Sequence, residues 1–204
     1  MKGARPLSRQ EVQDIGRQLR NNRERALFFL LLYTGARISE ALALTIGDVR
    51  RPGEDLGIRR QITFQKRETK NQRTSRAIDV HPDLAGALRL LLAELAGAGE
   101  LAPADPLFRS STTGGRWSRT AAWRALRVAF EAAGLGEDRV SPHSFRKTFA
   151  QRLHLLGYRV EIIQELLGHA DIRDTMGYVA IDPAELARAV ADLPSESDDG
   201  DPEA

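Results

Sequence analysis

The chain has 204 residues, 42% of them hydrophobic, enough for one sizeable core but not comfortably for two full domains. It contains no cysteine, which excludes disulfides, thiolate metal sites and cysteine nucleophiles and suits a reducing cytoplasm. The formal net charge is +2, but Ser195 to Ala204 holds five carboxylates and no base, so the rest of the chain carries +7, largely as arginine, a residue suited to gripping phosphate.

Ser8 followed by Glu11 has the form of a capping box and predicts a helix starting there. Residues 24–33 are too uniformly apolar for a surface helix and end at Thr34-Gly35, so they are expected in the core with a turn behind them. A third helix is expected from about Arg37 to Leu44. Residues 51–55 are rich in turn-formers, and beyond them 58–65 and 75–80 alternate in hydrophobicity like strands of a small antiparallel sheet. The polar stretch 66–74 between them reads as an exposed hairpin turn carrying basic residues.

Helical periodicity resumes over 82–95 and is broken by glycines and prolines over 97–106. Ser118 is expected to cap a helix running to about Ala133, ended by Gly134. Ser141-Pro142 starts another, with serine at the cap and proline in the first helical position, running to Leu156 before Gly157. A short helix over 160–167 follows, then a turn or two around 171–178 and a final helical piece over 183–191. The fold class expected is mainly α with a small antiparallel β-sheet, as one domain over 1–194 with an acidic, disordered tail over 195–204. The most apolar run, 26–33, falls far short of the ~20 residues of a membrane span, and the N-terminus lacks the apolar core of a signal peptide, so the expected location is the cytoplasm.

Several polar residues gather into a chemical pattern. His143 and Arg146 lie at i and i+3 in the first turns of one predicted helix, where free amides and the helix dipole favour an anion. Arg37 follows directly on the Thr34-Gly35 turn, and His169 follows Leu167-Gly168 at the end of a helix. Taken singly each has an ordinary alternative: Arg37 could pair with Glu40 one turn on, and a histidine after a glycine cap could simply favour a helix C-terminus. With four histidines and no cysteine a metal site is not expected, and no cofactor is implied. Trp117 and Trp123, six residues apart, are expected to anchor a helix to the core rather than to form a stacking ladder.

Thr34-Gly35-Ala36-Arg37-Ile38-Ser39-Glu40, His143-Ser144-Phe145-Arg146, Leu167-Gly168-His169 and Tyr178 occur in an order that resembles the catalytic domain of tyrosine recombinases, including the spacing of nine positions from His169 to Tyr178. The resemblance implies the catalytic-domain fold of that family and a site made of Arg37, Lys70, His143, Arg146, His169 and Tyr178. In it Tyr178 is the nucleophile, His143 the candidate base, and Arg37 and Arg146 clamp the phosphate, while His169 donates a hydrogen bond to a phosphate oxygen. Lys70 on the hairpin protonates the departing 5′ oxygen, with Lys66 and Arg73 as rivals for that place. Glu40 is structural and keeps its helix packed.

The activity implied is site-specific cutting and rejoining of double-stranded DNA through a 3′-phosphotyrosyl bond, without metal or ATP. Assembly as a tetramer on paired sites is also implied, with the 183–191 helix as the candidate for joining neighbours. Lys147 stands where the family often has a second histidine, and Gly177 loosens the backbone before Tyr178. Members of the family usually carry an upstream helical domain that completes a clamp around DNA, and this sequence opens with the catalytic part. The alternative of a different class is a DNA-binding regulator or accessory factor that has kept the scaffold and lost cleavage.

Overall fold

A computed structural model describes residues 4–54, 56–65, 75–99, 101–136 and 140–168. The expected hairpin turn at 66–74, the helical pieces at 171–178 and 183–191, the acidic tail, and with them Lys70, His169 and Tyr178, lie outside the described residues.

The first helix, α1 (Arg9–Arg17), begins with the expected capping box, Ser8 Oγ accepting from the Glu11 amide at 3.2 Å and the Glu11 carboxylate accepting from the Ser8 amide at 2.7 Å. The apolar run forms α2 (Asn22–Thr34), two residues longer at its start than expected because Asn21 caps it by accepting from the Glu24 amide. Ala26, Leu27, Leu30 and Leu31 are fully buried, as an all-round apolar helix requires. This helix is the centre of the fold, packed by α5 (Pro82–Gly97), by α7 (Pro142–Leu155) and by α6 (Arg119–Ala132). Phe145 of α7 meets Phe28 edge-on at 5.4 Å and Phe130 of α6 at 5.7 Å, so three helices share one aromatic contact.

The helix expected over Arg37–Leu44 is shorter than that, and a separate one follows it. α3 (Ile38–Ala41) gives way at Leu42, and a second start at Thr45, whose amide and hydroxyl both donate to Asp48, opens α4 (Ile46–Val49). The two strands are β1 (Gln61–Phe64) and β2 (Arg76–Asp79), paired antiparallel with Ile62 opposite Ile78. They are shorter than their alternating patterns, since Ile58 pairs back to Arg50 in an isolated bridge instead of joining the strand. The last described helix is α8 (Val160–Leu167), which packs on α7 and on β2 and ends at Gly168 in the left-handed region. The helices starting after His81, Ser118 and Ser141 begin within a residue of their expected places. Trp117 is buried under the Arg23 guanidinium, 4.2 Å from the ring centre, and Trp123 lies against Phe130, so both act as anchors. Among the described residues no helix is long and apolar enough to cross a membrane.

Candidate active site

α7 is fixed at its start by Ser141, whose hydroxyl accepts from the His143 amide at 3.3 Å and whose amide donates to Ser144 Oγ at 3.1 Å, with Pro142 in the first turn. That start sets His143 at the rim and sends Arg146 inward. Arg146 is 1% exposed, among the most buried large side chains of the fold. Its Nη1 donates to the carbonyl of Gly35 and its Nη2 to the carbonyl of Leu167, both at 2.6 Å. One guanidinium therefore joins the C-terminal ends of α2 and α8 to the start of α7.

Gly35 closes α2 with φ +59 and turns the chain toward Arg37. A Cβ there would stand 2.7 Å from Phe149 and 2.9 Å from Leu167, so glycine is required by space as well as by conformation. Two residues on, Arg37 is the N-cap of α3, with its side chain 30% exposed. The Glu40 carboxylate accepts from the Arg37 amide at 2.7 Å and from its Nη1 at 3.1 Å, so the simple pairing anticipated for Arg37 is present. It is not the whole arrangement. Glu40 also accepts two bonds from Arg76 of β2, at 2.8 and 3.3 Å. Burial alone would push the Glu40 carboxyl up; the hydrogen bonds and charge of Arg76, with the Arg37 amide and guanidinium, overcome this and hold it at about 2.

Arg37, His143 and Arg146 open onto one cleft of about 140 Å³, together with Ser39, Pro142 and Arg119. None of these wall residues is acidic. The His143 ring loses water to the cleft walls and faces the charges of Arg146, Arg37 and Lys147, and all of these push its pKa below the usual histidine value. These effects favour the neutral imidazole, which shares the cleft wall with the guanidinium groups of Arg37, Arg119 and Arg146. Two wider grooves, of about 700 and 550 Å³, share no wall residue with this cleft. Among the described residues no group of three or more His, Asp or Glu side chains is placed to hold a metal ion.

The structure thus brings together three of the six residues singled out in the sequence, Arg37, His143 and Arg146; the other three fall outside the described residues. It adds two that sequence reasoning passed over. Arg119, exposed on the first turn of α6, lines the cleft, and nothing in its local sequence distinguishes it from other surface arginines. Arg76 had a readable signal: it shares a strand face with Ile78, and both are buried, so a charge stood in the apolar phase of an alternating segment.

Comparison with known proteins places these motifs in a family. The family model described as "Phage integrase family" matches residues 5–185. Tyrosine recombinase XerD of Corynebacterium glutamicum is 36% identical over 159 residues, covering 78% of this chain and 48% of that protein. The crystal structure of XerA recombinase superposes with a TM-score of 0.73 at 26% identity, over 93% of this chain and 63% of that one. XerH site-specific recombinase, solved bound to a palindromic difH substrate as a post-cleavage complex, superposes with a TM-score of 0.72 at 21% identity, over 92% of this chain and 52% of that one, and so speaks for the fold. The chain spans about half the length of the curated XerD relatives it matches.

Proposed function

The chain belongs to the phage integrase family, and we propose that it is the catalytic part of a site-specific tyrosine recombinase that cuts and rejoins double-stranded DNA. The observation that carries this reading is the convergence of Arg37, His143 and Arg146, from distant parts of the sequence, on one cleft without an acidic wall residue. A phosphodiester monoanion passing to a more highly charged trigonal-bipyramidal phosphorane gains most from preorganised cations in a site that needs no rearrangement. Arg37 offers a guanidinium at the cleft, and Arg146, already fixed by two carbonyls, contributes its charge from behind.

In the reaction proposed, the Tyr178 phenol oxygen attacks the phosphorus in line, and His143 takes the phenolic proton. The bond from phosphorus to the 5′ oxygen breaks, and Lys70 gives that oxygen a proton, leaving a 3′-phosphotyrosyl bond and a free 5′ hydroxyl. His169 donates to a non-bridging oxygen. Attack by a 5′ hydroxyl of another strand reverses the steps, and because the ester energy stays in the protein the exchange needs neither ATP nor metal. DNA as partner is supported by the XerH complex with its substrate. We further assign a tetramer on paired DNA sites, with 183–191 as the element joining neighbours, working in the cytoplasm.

The test is a nicked suicide substrate incubated with the protein in EDTA. The expected product is a denaturant-resistant protein–DNA adduct that maps to Tyr178 and is absent in Tyr178→Phe. A protein that shifts DNA in a gel yet gives no adduct is instead a binding-only regulator, and this reading of its activity is then wrong.

A further inference from the structure

Glu40 sits between two guanidinium groups, and the two are not equivalent. Arg37 is 30% exposed and lines the cleft, whereas the Arg76 and Glu40 side chains are 2% and 4% exposed and neither forms part of the cleft wall. Had Arg37 only Glu40 beside it, the pair would be neutral, and a phosphate arriving at Arg37 would meet a carboxylate directly behind the cation. With Arg76 bound to the same carboxylate the trio carries one net positive charge, and that charge lies on the side that faces the cleft.

From this geometry we propose that Arg76 is a positioning residue that neutralises Glu40, so that Glu40 can orient Arg37 without cancelling the charge Arg37 presents to phosphate. The inference deepens the function proposed above and rests on that reading of the cleft. Arg76 is held by its two Nη atoms, its guanidinium face and its Cδ. Its guanidinium lies over the Phe64 ring at 4.8 Å, and its two Nη atoms grip Glu40 as a fork. Gly168, with φ +63, packs flush against it: a Cβ at that position would stand 3.1 Å from Arg76 Cδ and 3.2 Å from Nη1. The same side chain thus spans β2, α3 and the turn that ends α8, immediately before His169. A lysine would supply the charge but neither the flat surface under Gly168 nor the fork.

The experiment is an inorganic phosphate titration of the full chain followed by the NMR signals of His143, which needs neither DNA nor cleavage. Arg76→Met should weaken phosphate binding ~10- to 100-fold, the range seen when a group orienting a primary ligand is lost. It should also raise the His143 titration midpoint, since Glu40 would then offset Arg37. The double variant Glu40→Gln/Arg76→Met, which buries no charge, should fold and recover phosphate affinity to within several-fold of the parent. Arg76→Lys should fall between the parent and Arg76→Met. Unchanged phosphate affinity in folded Arg76→Met would overturn the proposal. So would a double variant that binds phosphate as weakly as Arg76→Met, because Arg76 would then act by packing alone; if Arg76→Met does not fold, the double variant against the parent decides. Failure of the DNA adduct assay with normal phosphate results would instead count against the recombinase reading.

Discussion

The guanidinium of Arg146 donates a 2.6 Å hydrogen bond to the carbonyl of Leu167, the last residue of α8, while its other arm holds the carbonyl of Gly35. Both carbonyls close helices whose next residues are motif residues, so the buried cation behind the cleft is also the tie between them. Arg146→Ala should therefore fail twice. It strips two buried carbonyls of their donor, each omission costing roughly 1–3 kcal/mol, and it opens a cavity, for a total loss on the order of 2–5 kcal/mol in urea unfolding. DNA cleavage by the fraction still folded should fall by about 10²–10³ or more, as for a lost oxyanion donor. Stability close to the parent would show that Arg146 is not structural in this sense.

Gly35→Ala tests the turn that aims Arg37. Alanine in the left-handed region costs roughly 1–2 kcal/mol, and here its Cβ would also press on Phe149 and Leu167 from under 3 Å. The expected outcome is a destabilisation of roughly 2–4 kcal/mol by denaturant titration, with phosphate affinity at the cleft reduced in the folded protein. A variant as stable as the parent would mean that the turn is not held against α7 as described.

How far these features could be read from sequence depends on their range. The caps at Ser8, Ser118 and Ser141 depend on residues within three positions and were legible, as was the burial of α2 from its uninterrupted apolar run. The early end of the helix expected over Arg37–Leu44, and the separate α4 beyond it, were not, because Thr45 and Asp48 start a new helix after α3 has already stopped at Ala41. In the cleft, the likeness of motifs singled out Arg37, His143 and Arg146, but not the hydrogen bonds of Arg146 to Gly35, 111 positions away, or of Arg76 to Glu40, 36 away. Pairings at such separations are products of packing. An arginine in the buried phase of a strand announces that some partner exists without naming it.

Acid should unfold the protein partly through Glu40. Its folded carboxyl is held at about 2, against an ordinary value near ~4.3, so the stability it contributes is complete above that ordinary value and is lost as pH falls toward 2. Glu11, held at about 2 chiefly by its hydrogen bond from Arg5 despite its burial, contributes in the same window. Urea titrations at several pH values between 5 and 2 should therefore give a shallower loss of stability in Glu40→Gln than in the parent, even though Glu40→Gln begins from a lower stability at neutral pH. Parallel curves for the two proteins would show that Glu40 does not keep its charge in the folded state.

His143 supplies the pH dependence of the cleft itself. Loss of water and the charges of Arg146, Arg37 and Lys147 all favour the neutral ring, so its midpoint in the free protein should lie below about 6.5 when followed by NMR. A bound phosphate brings opposite charge and should raise that midpoint. By linkage, phosphate must then bind more tightly to the protonated form, and its affinity should fall as pH rises through the His143 midpoint and level off above it. DNA cleavage should run the opposite way, rising with pH as the imidazole becomes available to take the phenolic proton, and His143→Gln should lose that rise along with most of the rate. A free-protein midpoint above 6.5, or a ring that ignores added phosphate, would remove His143 from the role of base.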